Sequence, residues 1–157
     1  MRVGIGSDIH RLVEGRQLII AGVVIPSPVG ELAHSDGDVL FHALSDAILG
    51  ALALGDIGLY FPDSIEDTRD MDSSDILRFV YDKMVEHGYQ IGNVDIMISL
   101  EKPKLKDYRE KMRKNVARLL HTPIENISIK AGTNEGLGDV GHGVAIKVDA
   151  IVLLNEI

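Results

Sequence analysis

Residues 33–55 read AHSDGDVLFHALSDAILGALALG, and the spacing of their apolar side chains decides the fold. Val39, Leu40, Ala43, Leu44, Ala47, Ile48, Ala51 and Leu52 recur at three- and four-residue intervals. That period predicts a helix with one continuous apolar stripe. Ser35 or Asp36 is placed to cap it, and Gly55 to stop it. Asp38, His42 and Asp46 lie four apart on the opposite side. Carboxylates one turn either way can fix the tautomer of a metal-binding imidazole. A solvent-facing helix surface would carry the same pattern.

Upstream, residues 2–11 alternate as a strand, with Val3 and Ile5 on one face. Residues 17–25 (QLIIAGVVI) read as a strand or tight hairpin stopped by Pro26 and Pro28, and 29–35 as a loop. Downstream, 56–72 is loop-like. A second helix starts at Ser73 or Ser74, turns Ile76, Leu77, Val80 and Met84 inward, and stops near Gly88. Val94, Ile96, Ile98 and Leu100 alternate as a strand, and a charged, largely solvated helix spans 105–120. Ile127 and Ile129 mark a short strand. Residues 132–143 are too glycine-rich for a regular element. The last strand, 144–154, is partly apolar on both faces. The expected fold is α+β: a mixed β-sheet with helices on one face and the other face turned towards another subunit. Its length of 157 residues suits a single domain, 1–157.

Composition narrows the partners. The chain has 16 Lys+Arg against 24 Asp+Glu, a net of −8, so neither nucleic acid nor an anionic membrane would be steered to it. There is no Cys, which removes disulfides, thiolate zinc sites and cysteine nucleophiles. The most apolar run, 47–55, is far short of the ~20 residues a membrane span needs. The opening MRVGIGSDIH lacks signal-peptide character, so a cytoplasmic protein is expected.

Four further stretches can carry chemistry. Asp8-x-His10 on a strand puts a carboxylate and an imidazole on one face. With His42 they offer three N/O ligands and leave one open position, the pattern of a catalytic metal site. Two polar residues on a solvated strand would look the same. In HSDGD (34–38), Ser35 and the free N–H groups of a helix start suit a phosphate. Gly55-Asp56-Ile57-Gly58 and Phe61-Pro62-Asp63 offer close backbone approach and a carboxylate for sugar-like hydroxyls, or simply turns. Lys130 to Gly136 runs from a strand into small, hydroxyl and acidic residues, where Glu135 could hold a hard cation.

DIH at 8–10, AHSDGDVLFHAL at 33–44, LGDIG at 54–58, FPD at 61–63 and TNEGLG at 133–138 together resemble the 2-C-methyl-D-erythritol 2,4-cyclodiphosphate synthase family. The resemblance covers essentially the whole chain. It implies a metal-dependent cyclising phosphorus-oxygen lyase of non-mevalonate isoprenoid biosynthesis. The substrate would be 4-diphosphocytidyl-2-C-methyl-D-erythritol 2-phosphate, whose 2-phosphate attacks the β-phosphorus and expels CMP. It further implies a homotrimer with active sites between subunits. Zinc would sit on Asp8, His10 and His42, with Asp46 behind the histidine. Glu135 would hold a second divalent cation, Mg²⁺ or Mn²⁺.

The same resemblance assigns catalytic roles to His34 and Thr133. It puts Asp8, His10, His34 and Ser35 at the substrate, with Asp56, Ile57, Gly58, Phe61, Pro62, Asp63, Ser64 and Ile65 around the methylerythritol. Leu100, Pro103, Lys104, Leu105, Ala131, Gly132, Thr133, Asn134, Glu135 and His142 complete the binding set. This chain reads Gly132-Thr133-Asn134-Glu135 where many members read T-T-T-E, and it has Asp139 and His142 where an aromatic and a basic residue are common. The chemistry suits the residues: the nucleophile is an ionised phosphate oxygen, so charge neutralisation and alignment are needed, not a protein base. A zinc phosphohydrolase, or a trimeric binding protein using the metal structurally, would employ the same ligands.

Overall fold

The computed structural model describes residues 1–157, the side chain of Asp67 excepted. Its elements are β1 (Arg2–Glu14), β2 (Leu18–Ile20), β3 (Val23–Ile25), β4 (Val29–Leu32), α1 (Val39–Ala51), α2 (Ser73–Glu86), β5 (Tyr89–Ser99), α3 (Arg109–Leu119), β6 (Ile127–Gly132), α4 (Gly138–Gly141) and β7 (Ala145–Glu156). Five strands form one sheet in the order β4-β1-β7-β5-β6, and β2 with β3 forms a separate hairpin. Only the β5–β6 pair is parallel, so the sheet is mixed.

One face of the sheet carries the core. Ile146, Val148, Ala150, Val152 and Leu154 of β7 alternate towards it, as do Ile96 and Ile98 of β5, all fully buried. They meet the apolar stripe of α1, which also packs against β1. β1 meets α1 through glycine. A Cβ on Gly4 would lie 1.9 Å from Ala47 O, and one on Gly6 would lie 1.9 Å from Ala43 O. The missing side chains let the helix backbone rest directly on the strand. The larger apolar residues of β1 point the other way. Val3 and Ile5 are 67% and 70% exposed, and Ile5 faces Ile151 of β7, itself 50% exposed.

Several boundaries differ from the sequence reading. Residues 29–32, expected in a loop, pair with β1 as an edge strand. The cap of α1 is Asp38, neither Ser35 nor Asp36. Its fully buried carboxylate accepts N–H bonds from Phe41 in the first turn and from Ala21 and Gly22 at the β2–β3 turn. One side chain thus caps the helix and ties the hairpin to it. α3 starts at Arg109 and buries Met112, Val116 and Leu119, so it is less solvated than its charge suggests. The glycine-rich 132–143 stretch contains the four-residue α4. No helix among the described residues is long and apolar enough to cross a membrane.

Candidate active site

The two glycines of β1 also set the registry of the site. Gly4 lies against Ala47 and Ala51, and Gly6 against Ala43 and Ala47, so α1 runs backwards along the strand. Continuing that progression brings Asp8 and His10 to the start of α1, beside His42. Asp8 and His10 share a face because they are two apart on a strand.

The three side chains converge. Asp8 Oδ2 lies 2.9 Å from His10 Nε2 and 3.3 Å from His42 Nδ1, and the two nitrogens are 3.4 Å apart. A tetrahedral zinc with ligands at about 2.0–2.1 Å needs ligand–ligand edges of about 3.3 Å. The triangle fits that requirement. Each ring is held from behind. His10 Nδ1–H donates to the Gly37 carbonyl at 2.8 Å, leaving Nε2 as a lone pair. His42 Nε2 lies 2.9 Å from Ser73 Oγ and 3.1 Å from Ser35 Oγ, leaving Nδ1 free for the triangle. Two lone pairs and a carboxylate pointed at one spot call for a cation. Among the described residues, Asp8, His10 and His42 are the group arranged to hold a metal.

The electrostatics agree. Burial alone would raise the Asp8 carboxyl, but hydrogen bonds to His10 and His42 hold it well below the usual carboxylate range. Burial lowers His10 and the Asp8 carboxylate raises it, with a net upward shift.

This triangle forms part of the wall of a cavity of about 570 Å³. His34, Ser35, Ile57, Gly58, Phe61, Pro62 and Asp63 line it too. The Ile65 carbonyl lies 3.2 Å from His34 Nε2. Asp56 precedes the Ile57–Leu59 turn. Ser64, next to Asp63, is exposed.

Asp46 lines the cavity and also makes a contact the sequence did not announce. Its Oδ1 accepts the Ile57 N–H at 2.8 Å, so it anchors the Ile57–Gly58 turn. The side chains against His42 Nε2 are Ser35 and Ser73. Ser73, expected only at the start of the second helix, lies one residue past that helix's cap, Asp72.

A second cavity, of about 280 Å³, gathers Leu100, Pro103, Lys104, Leu105, Ala131, Gly132 and Thr133. Glu101, unforeseen, lines it and accepts N–H bonds from Asn134 and Gly136, fixing the turn around Glu135. The Glu135 N–H goes to Thr133 Oγ1. His142 is exposed at the end of α4. The two cavities do not merge within one chain. Register places Ile9, Lys147, Ser99 and Gly132 in one row across the sheet. The two halves therefore sit at the same end of the sheet, three strand spacings or about 14 Å apart.

Known proteins resemble this chain in sequence and fold. The YgbB family model matches residues 1–155. A 2-C-methyl-D-erythritol 2,4-cyclodiphosphate synthase of Chlorobaculum tepidum is 53% identical over 156 residues, covering 99% of each chain. One of the same name from Finegoldia magna is 53% identical, covering 99% of this chain and 98% of its own. A solved 2C-methyl-D-erythritol-2,4-cyclodiphosphate synthase in a CDP-bound form superposes with a TM-score of 0.91 at 41% identity, covering 98% of this chain and all of the other. The bifunctional IspDF of Campylobacter jejuni superposes at 0.96 with 42% identity; this chain spans 42% of that longer one. With the fold, the convergent Asp8, His10 and His42, and full-length relatives in agreement, the chain belongs to the YgbB family, the family of the 2-C-methyl-D-erythritol 2,4-cyclodiphosphate synthases.

Proposed function

We infer that this chain converts 4-diphosphocytidyl-2-C-methyl-D-erythritol 2-phosphate into 2-C-methyl-D-erythritol 2,4-cyclodiphosphate and CMP, in the non-mevalonate route to isoprenoids. A 2-phosphate oxygen forms a bond to the β-phosphorus. The bond from that phosphorus to the oxygen bridging the α-phosphate breaks, and CMP departs with the electron pair. No water is consumed. The observation that carries this reading is the triangle of Asp8, His10 and His42 opening into a cavity lined by phosphate donors.

Asp8, His10 and His42 would hold zinc, which when bound supplies Lewis-acid charge to a phosphate oxygen. His34 and Ser35 donate to phosphate oxygens at the start of α1, where backbone N–H groups add to the field. Asp56 and the Ile57–Gly58 turn take the methylerythritol hydroxyls, with Phe61 to Ile65 beside them. Leu100 to Leu105 and Ala131 to Asn134 receive the cytidine, and His142 approaches from the end of α4. Thr133 steadies the reacting diphosphate. Glu135 is exposed, with a single carboxylate to offer. That suits Mg²⁺ or Mn²⁺ completed by substrate oxygens and water.

The residues group at two cavities in one chain, so a complete site draws on two. A homotrimer in which one copy's β5 and β6 loops face the next copy's metal triangle meets that need, and the exposed Val3, Ile5 and Ile151 provide an apolar contact face. One domain, residues 1–157, carries both halves, and the cytoplasm is its compartment.

The test is CMP release from the cytidyl substrate in ¹⁸O-water. Cyclisation leaves the product unlabelled; label in its phosphate means hydrolysis and overturns the reading. Chelation should abolish turnover, and zinc with magnesium should restore it.

A further inference from the structure

We propose that Ser73, clamped by Asp36, is a positioning residue that fixes the ring of His42 for metal binding. The inference rests on reading Asp8, His10 and His42 as the metal site. Ser73 opens α2 and is fully buried. Its backbone N–H donates to Asp36 Oδ2 at 3.1 Å, and its hydroxyl donates to Asp36 Oδ1. With its proton committed to the carboxylate, Ser73 Oγ can only accept from His42 Nε2, at 2.9 Å. The ring must therefore carry its proton on Nε2 and leave Nδ1 as the ligand atom. The chain runs from carboxylate to hydroxyl to imidazole, with the hydroxyl interposed where metalloproteins often place the carboxylate directly.

Ser35 Oγ reaches the same Nε2 from the cavity side, at 3.1 Å. It also lines the cavity, where an incoming phosphate would compete for it. Because Ser73 holds the ring from the buried side, Ser35 can turn to a phosphate without releasing His42. The two serines thus divide the work: one stays with the ring, the other is free to exchange partners.

The experiment measures zinc affinity by competition with a chromogenic chelator, and records the visible absorption of the Co²⁺-substituted protein. Ser73→Ala should weaken zinc about 10- to 100-fold and shift the Co²⁺ band. Ser35→Ala should weaken zinc by less than about threefold if Ser73 is the standing partner. Asp36→Asn should weaken zinc in the wild-type background and add little in the Ser73→Ala background, as members of one chain do. Should Ser73→Ala fail to fold, the Asp36→Asn single variant carries the same expectation. Unchanged affinity and spectrum in a folded Ser73→Ala overturn the positioning role while leaving the function intact, provided CMP release persists. A wild-type chain that binds no zinc or Co²⁺ overturns both.

Discussion

At the scale of single residues, Asp46 shows what spacing can and cannot say. Four-residue intervals place it one turn from His42, and the structure keeps it in the same cavity. Its one hydrogen bond among the described residues, through Oδ1, is from the Ile57 N–H. Asp46→Ala should therefore leave zinc content unchanged and raise KM about three- to tenfold by loosening the Ile57–Gly58 turn. Loss of zinc in that variant would return Asp46 to the histidine. Glu31 makes a different prediction. It is fully buried, accepts the Ile19 N–H, and its Oε1 has no partner among the described residues. Burial pushes its pKa up to about 9, from 4.5. Between those values the unfolded chain gives up a proton that the folded chain keeps, so stability falls as pH rises through the window. Glu31→Gln should flatten the dependence of Tm on pH between about 5 and 9. Parallel curves for the two proteins would exclude Glu31 as the cause. The grouping of Asp8, His10 and His42, which could hold a metal ion, was legible because Asp8 and His10 share a strand face and His42 sits on a strongly periodic helix. Ser73 was not, because thirty-one residues separate it from His42 and no period links the first residue of one helix to a ring on another.

At the scale of elements, α1 and β1 act as one unit. The strand supplies Asp8 and His10, the helix supplies His42, and Gly4 and Gly6 set the distance between them. Gly6→Ala would drive a Cβ against the Ala43 carbonyl. Overpacking of this kind costs about 1–3 kcal/mol. The variant should lose that much in denaturant melts and should bind zinc more weakly, since the strand must move away from the helix. Wild-type stability with intact zinc binding would mean that the contact is soft. α1, α2 and the long strands could be read from apolar period alone. β4 could not: Val29-Gly30-Glu31-Leu32 places a glycine and an acid in the middle of a strand, and both are buried. Its strand character comes from pairing with β1, which composition does not announce.

For the whole molecule, the decisive fact is that the metal triangle and the Thr133 cavity share one end of the sheet without meeting. Mixing His42→Ala chains with Thr133→Ala chains, each inactive, tests whether neighbours complete one another. If the proposed homotrimer forms, random trimers drawn equally from the two should regain about a quarter of wild-type activity, because each shared site would need one intact half from each kind. No recovery after verified subunit exchange would place the whole site in one chain. Sequence reading gathered both halves but left unspecified that they fall in separate cavities, which depends on the strand order β4-β1-β7-β5-β6.

β1 also bears on how the gene can change. Every single-base missense change in a glycine codon introduces a residue with a Cβ. At Gly4 and Gly6 each such neighbour collides with the backbone of α1, so these codons have no harmless missense step open to them. Codons for Val3 and Ile5 interconvert among aliphatic residues by single changes, and their side chains stand clear of the helix. One strand therefore carries two kinds of position: glycines pressed against its own helix, and aliphatic residues whose side chains stand outside the core.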